Sequence, residues 1–419
     1  MHRLPPPHKV RLSSGATMLY QKNPFSSTVA FGVWIGGGSS REGTTERGLS
    51  HLLEHVVFRG TKSRDGLRIA YDLESIGGQW DAFTGKEATC YHAKVLEEHF
   101  EKLADILSDI VCRPSIPEHT FRLEKKVVQE EIRSINDSPE ELAHELFYAA
   151  LFRGHPLAHP VTGYLKDIAG YDRGDLVAFH TKIYTARDTY LGFVGNIPLS
   201  KVVAIMEKKF RFPRKGRRVK GRTMEAGRSS VRSIRRADWA QAHVCIGAKT
   251  VPAAHRDRYP LIMLTNILGG GITSRLFQAL REKTGLVYSV DSHASFWTEA
   301  GALCNFFSVD SKNLERSLAI FHGELRDVRD GGVRDEEIES AKAQIKGSII
   351  FGAESIENRL FNLVQSEYYY GRYMHSAEIV KAIEKVSRAS ITEAAQKYLG
   401  EGGLTYTACG PVGLKGLAP

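Results

Sequence analysis

The sequence predicts an α+β fold built twice over, and three observations carry that reading. The chain has 419 residues with 42% hydrophobic and 25% charged side chains, an ordinary globular composition at a length that calls for two or more packed units. Strand-like and helix-like patterns are mixed through both halves. The second half repeats, faintly, the order of the first.

The elements of the first half come in the following order. Thr28-Val29-Ala30-Phe31-Gly32-Val33-Trp34-Ile35 reads as a strand, with Gly36-Gly37-Gly38 after it. A helix is expected from about Gly48 to Phe58. Strand and turn sequence runs from Gly77-Gly78 through Tyr91-His92-Ala93. Amphipathic helices follow near Leu96 to Val111 and Pro117 to Ile135, where Pro117 suits a first turn. In the second half, His243 to Gly247 matches the first strand. Leu261 to Leu268 matches the first helix and runs into Gly269-Gly270-Gly271. Leu314 to Leu325 and Asp335 to Ile350 match the two later helices. The glycine run lacks the Gly-Lys-Ser/Thr ending of a phosphate loop, so it reads as a turn that closes a helix.

Composition excludes several classes. Disordered, collagen-like and fibrous chains are ruled out. No apolar run approaches the roughly 20 residues needed to span a bilayer. The formal charge is +9, but it is concentrated. Between Lys208 and Arg236 stand thirteen Lys and Arg against Glu225 alone, and the rest of the chain is net acidic. This block is poor in aromatics and reads as a solvated linker over 213–232, between a domain over 1–212 and another over 233–419. Nucleic acid is not expected as a partner. Five scattered cysteines with no Cys-x-x-Cys agree with a reducing compartment. Neither a disulfide framework nor a cysteine zinc site is expected. The start, Met1 to Pro7, has no secretory or transit pattern. A bacterial cytoplasm is the expected location, with the mitochondrial matrix as the alternative.

The strongest chemical signal is His51-Leu52-Leu53-Glu54-His55. Histidines at i and i+4 share a helix face about 5–6 Å apart, close enough for two imidazoles to reach one zinc ion. Glu54 lies on the same side. A pair of satisfied core histidines beside a chance glutamate is the plainer alternative. A third ligand would favour metal, and two adjacent glutamates compete for the role. Glu131 has Val127 and Val128 before it and Ile135 after it, which puts it on an apolar stripe. Glu130 has Lys126, Arg133 and Ser134 around it and is expected to face solvent. Glu124, two turns earlier on nearly the same face as Glu131, is either an acceptor behind a ligating histidine or a surface residue paired with a lysine.

Taken together, His-x-x-Glu-His and the later Glu124 and Glu131 resemble the pitrilysin/insulinase family of inverted-motif zinc peptidases, in its processing-peptidase-like branch. The resemblance covers almost the whole chain. It includes Gly48 to His55, His155-Pro156-Leu157, Gly269-Gly270-Gly271, and Ser274 through Tyr288. It implies two homologous halves, each a mainly antiparallel sheet with helices packed on it. It implies zinc on His51, His55 and Glu131, with Glu54 as general base and Glu124 behind the ligands. In the second half Ile262, Thr265 and Asn266 stand where the first has its motif, and Ala341 and Ser348 replace the glutamates. One Zn2+ per chain is therefore expected.

The resemblance further implies that Arg281 and Tyr288 bind substrate and the transition state. Spacing alone would favour an exposed arginine and a core tyrosine. The strand around Asp81, Ala82, Phe83 and Thr84 is the one that would take substrate as an added strand. Many relatives have Asn where this chain has Asp81, a change that leaves the backbone role intact. The implied activity is zinc-dependent endopeptidase action on peptides or unfolded polypeptides. The implied setting is a chamber formed by two subunits, expected as a homodimer, with a heterodimer with a related chain as the alternative. The rival readings are a non-catalytic scaffold and a subunit that needs a different partner.

Overall fold

The structure is a computed structural model that describes residues 4–212, 230–400 and 402–413. The first sheet contains β1 (His8–Arg11), β2 (Thr17–Lys22), β3 (Thr28–Ile35), β4 (Gln79–Thr84), β5 (Thr89–Leu96) and β6 (Thr189–Gly195), in the order β1-β2-β6-β3-β5-β4. The second contains β7 (Ser230–Arg235), β8 (Gln241–Thr250), β9 (Val287–Phe296), β10 (Gly301–Asp310) and β11 (Thr405–Gly410), in the order β7-β11-β8-β10-β9.

With β1 set aside, the two sheets have one topology. Each places its first strand beside its fifth, then the second, fourth and third. In each, the first and fifth strands pair parallel and the other pairs are antiparallel. The fold is α+β in two like halves, and the repeat that is faint in sequence is plain in strand order. The helix that follows the second strand is Leu49–Val57 in one half, and Arg258–Gly269 in the other. The latter closes at Gly270, whose backbone N–H bonds to Asn266 O.

The compact units are not contiguous stretches of sequence. One comprises Met1–Arg133, His159–Lys220 and Gly352–Met374. The other comprises Ser134–Ala158, Gly221–Phe351 and His375–Pro419. Each half thus gives one helical segment to the other's unit. Of the expected linker, 213–229 lies outside the described residues, and 230–232 already belongs to β7.

The exchange follows from the strands. In β3, Val29, Phe31, Val33 and Ile35 face one helical layer, while Ala30 and Trp34 face the opposite side. A strand apolar on both faces needs cover on both. In the first unit the helix Ile356–Tyr370 supplies the second cover, through Leu360, Leu363 and Val364 against Ala30, Trp34 and Val194. Burying each of these three side chains contributes roughly 1.5–3 kcal/mol before the entropy of ordering the segment. In the second unit the helix Pro139–Leu151 does the same, through Ala143, Phe147 and Leu151. Both helices approach the sheet at a glycine. A Cβ on Gly192 would stand 2.7 Å from Leu360 and Val364, and one on Gly247 would stand 2.8 Å from Phe147.

Candidate metal centre

The motif helix is buried on most sides, with Leu49, Ser50, His51, Leu52, Leu53, Val56 and Val57 all buried. Gly48 caps it at φ +86°, where a Cβ would come within 2.6 Å of Thr162 O. Its free N-terminal N–H groups find an acceptor in Glu42, which takes hydrogen bonds from Gly48 N and Ser50 N at 2.8 Å each. Burial pushes the Glu42 carboxyl up to about 7, against those two backbone donors. The Ser50 hydroxyl donates to Gly37 O. These contacts hold the helix, and hence the two imidazoles, in place.

His51 and His55 stack edge to face with centroids 4.7 Å apart. Both turn Nε2 toward Glu131: His51 Nε2 is 3.5 Å from Oε1 and His55 Nε2 is 3.7 Å from Oε2. One ligand atom from each of the three residues lies within 4.8 Å of the others. Atoms bound at about 2.0–2.1 Å around a tetrahedral zinc stand roughly 3.3–3.4 Å apart, so the donors fit such an ion with little movement. Burial, then the neighbouring His55, lowers the His51 pKa to about 4, leaving the neutral imidazole a metal needs. His51 Nδ1 is buried with no hydrogen-bond partner among the described residues.

His55 is oriented from behind. Its Nδ1 lies 3.3 Å from Glu124 Oε2, and Arg59 Nε holds the other oxygen of Glu124 at 2.7 Å. Burial works against the imidazolium of His55, but Glu124, Glu131 and Glu54 outweigh it and its pKa is raised. Burial likewise opposes ionisation of Glu124, yet the His55 and Arg59 contacts leave its carboxyl below the usual range. A carboxylate on Nδ1 fixes the tautomer that presents an Nε2 lone pair. Replacing Glu124 by Ala is expected to weaken zinc binding about 10–100-fold, read by competition with a chelating dye. Unchanged affinity would remove Glu124 from the site.

Glu54 shares the pocket. Its Oε2 accepts a hydrogen bond from Thr84 Oγ1 at 2.5 Å. Burial raises its pKa; the Thr84 bond and His55 oppose that, while Glu131 and Asp81 add to it. Thr84 ends β4, which forms an edge of the sheet and, among the described residues, pairs only with β5. Asp81 and Phe83 are exposed on that strand, while Ala82 and Thr84 are half-buried. Asp81 Oδ1 accepts from Ala82 N.

The structure brings His51, His55, Glu131, Glu54, Glu124 and Thr84 together. Arg281 and Tyr288 belong to the second unit, where the guanidinium lies 5.5 Å from the centre of the phenol ring and 4.9 Å from that of Phe277. Tyr288 is 75% exposed and not a core residue. Arg281 sits on a π-helical turn, Phe277–Glu282.

Glu131 does not stand on the fully buried apolar stripe that its valine neighbours suggest. Its helix, Glu118–Asp137, buries Phe121, Glu124, Val128 and Ile132, while Val127 is 47% exposed. At 100° per residue Val127 falls off the buried line, and Glu131 stands at its margin with a side chain 40% exposed. Glu130 points outward and pairs with Arg133. Sequence reasoning missed Glu42 and Arg59 altogether. An acid shortly before a glycine-capped helix was the available signal for the first, and none marked the second.

Fold and site define a peptidase-type chain with an inverted histidine motif. Residues 17–164 match the family described as Insulinase (Peptidase family M16), and residues 171–345 match the peptidase M16 inactive domain. A protein of Bacillus subtilis (strain 168), named an uncharacterized zinc protease, is 32% identical over 93% of this chain and 94% of its own length. One from Rickettsia bellii (strain RML369-C) with the same name is 31% identical over 97% of this chain and 98% of its own. The crystal structure of a protease from Helicobacter pylori superposes with a TM-score of 0.90 at 20% identity, over 98% of this chain and 100% of that one. A structure titled as a peptidase M16 inactive domain from Pseudomonas fluorescens gives 0.91 at 20% identity, over 97% of this chain and 98% of that one. The chain belongs to the M16 (insulinase) peptidase family.

Proposed function

We propose that the protein is a zinc-dependent endopeptidase acting on peptides and unfolded polypeptides. The observation that carries this is the convergence of His51 Nε2, His55 Nε2 and the Glu131 carboxylate beside Glu54. These three side chains would hold one zinc ion per chain. When bound, the ion supplies an acidified water and polarises the substrate carbonyl.

Glu54 accepts the proton given up by the attacking water and passes it to the leaving amine. Its raised pKa brings it toward the operating pH, where such transfers are efficient. Thr84 holds the carboxyl in place through its hydrogen bond. The edge of β4, from Asp81 to Thr84, offers unpaired backbone groups to a substrate strand, which gives affinity with little demand on sequence. Arg281 and Tyr288 are given the role that the family resemblance implies, donors to substrate and to the developing oxyanion. A homodimeric chamber and action in a bacterial cytoplasm are part of the same proposal. The scaffold reading is disfavoured because all four residues of the motif and its distant glutamate are present in this chain.

The test is hydrolysis of an unfolded polypeptide by the purified chain. Activity should disappear with a chelator and return with zinc. Activity that survives complete removal of metal would overturn the proposal.

A further inference from the structure

The second unit holds a cluster of nitrogen and sulfur donors that the peptidase chemistry does not use. It lies on the sheet face covered by the helix Pro139–Leu151. Cys304 on β10 is directly opposite His293 on β9, and Phe306 is opposite Cys245 on β8. The two thiols are therefore diagonal neighbours on one face, and an imidazole stands beside the first. From above, the helix lowers His144 onto this group. Its ring centre is 5.4 Å from that of His293 and 5.1 Å from that of Phe306, and its Nδ1 is 3.8 Å from Cys245 Sγ. Ligand atoms of His144, His293 and Cys304 lie within 4.8 Å of one another.

We propose that His144, His293 and Cys304, with Cys245 as a fourth donor, form a second metal site that takes a thiophilic ion, Zn2+ or Cu+. Three features go beyond packing. The donors come from four elements, the helix and strands β8, β9 and β10, and meet on a face otherwise lined by Phe147, Ala302 and Phe306. Two nitrogens and two sulfurs suit soft and borderline ions, and the absence of a carboxylate in the donor set disfavours magnesium and calcium. Asp291 Oδ2 lies 3.3 Å from His293 Nδ1, so a carboxylate orients the imidazole from behind, and its Nε2, 3.3 Å from the Tyr148 hydroxyl, would exchange that contact for the metal.

Both cysteines are fully buried, while His144 and His293 are half-buried and leave a way in for the ion. Burial keeps the Cys245 thiol protonated in the absence of metal, so binding releases a proton from it. Donors about 2.0–2.3 Å from a tetrahedral ion stand roughly 3.3–3.8 Å apart, which rotamer shifts in the two imidazoles can reach. Such an ion would tie the exchanged helix to the sheet beneath it, which is the role of a closed structural site. The expectation of one zinc per chain rested on the helix positions equivalent to the peptidase motif, and these residues lie elsewhere.

Cobalt(II) distinguishes the two sites, because a thiolate ligand gives an intense charge-transfer absorption in the near ultraviolet and a site of two histidines and a glutamate does not. The full chain, freed of metal and reduced, is titrated with Co2+. The expected result is two cobalt ions per chain, one of them giving the thiolate band. The double variant His51→Ala, His55→Ala should bind one ion and keep the band. Cys304→Ser, which leaves one thiolate of two, should bind the second ion more weakly with a diminished band, and hydrolyse peptide at the wild-type rate. The wild-type titration needs no variant, so misfolding cannot imitate its result. Absence of a thiolate band in the saturated wild type would overturn the proposal, as would a band that Cys304→Ser leaves unchanged. Failure of the peptidase reading would appear as lost hydrolysis and leave this spectrum as it is.

Discussion

Replacing Glu54 by Gln is expected to lower peptide hydrolysis by roughly 10²–10⁴-fold while leaving fold and zinc content as they are. Glu54 is not among the three converging ligand residues, so its loss does not open the zinc site. Gln has the same shape, and its amide oxygen can still accept from Thr84 Oγ1, so the local packing has no reason to move. What the amide lacks is the capacity to take a proton. Burial is the main reason the Glu54 carboxyl titrates above the ordinary glutamate range, and it makes the ionised form a stronger base than an exposed glutamate. The measurement is the single-turnover rate constant of cleavage, with zinc counted by elemental analysis on the same sample. Cleavage within a few-fold of the wild type would remove Glu54 as the base.

The second large effect is on metal binding. Glu131→Ala leaves two imidazoles and no anionic ligand, and zinc affinity should fall by more than the factor of about 100 that an outer partner contributes. The Glu131 side chain is 40% exposed, so its truncation makes no core cavity and should cost the metal-free protein little. The difference between wild type and variant in the stabilisation that zinc brings then reads this site, because any other zinc site contributes equally to both. With zinc at a hundred times the wild-type Kd of this site, the wild type gains about 2.7 kcal/mol from it. A variant bound 100-fold more weakly gains only about 0.4 kcal/mol at the same zinc concentration. Urea unfolding with and without zinc measures both. A wild type and a variant that zinc stabilises by the same amount would show that Glu131 is not a ligand, since a second site contributes equally to both. The contrast with Glu124 is informative, because that residue is buried and its loss removes a partner from both His55 and the half-exposed Arg59.

Much of the site was legible because helix periodicity fixes short-range geometry. Two histidines at i and i+4 meet on one face wherever the helix lies, and a glutamate between them must share their side. The choice of Glu131 over Glu130 was also local, and Arg133 marked Glu130 as a solvent residue. The same reasoning erred at Val127, since apolar character was taken for burial and the helix rotation puts that side chain outside. Thr84 was named as a strand residue, but its bond to Glu54 could not be seen, because strand and helix are far apart in sequence. Glu42 was missed because a cap works through backbone groups that no side-chain pattern records.

By itself, the order of residues determined the α+β character, the repeated plan, and the helical face that carries two imidazoles and a carboxylate. All of these depend on contacts within a few turns of chain or on a pattern that recurs. Only the tertiary structure decided which helix covers which sheet. Each central strand is apolar on both faces, and nothing local says whether Pro139–Leu151 or Ile356–Tyr370 will meet that need. It also decided that cysteines scattered at 245, 304 and 409 share one sheet face with His293, beneath the helix that carries His144. Strand register sets that placement, and register belongs to the paired strands together rather than to any one of them.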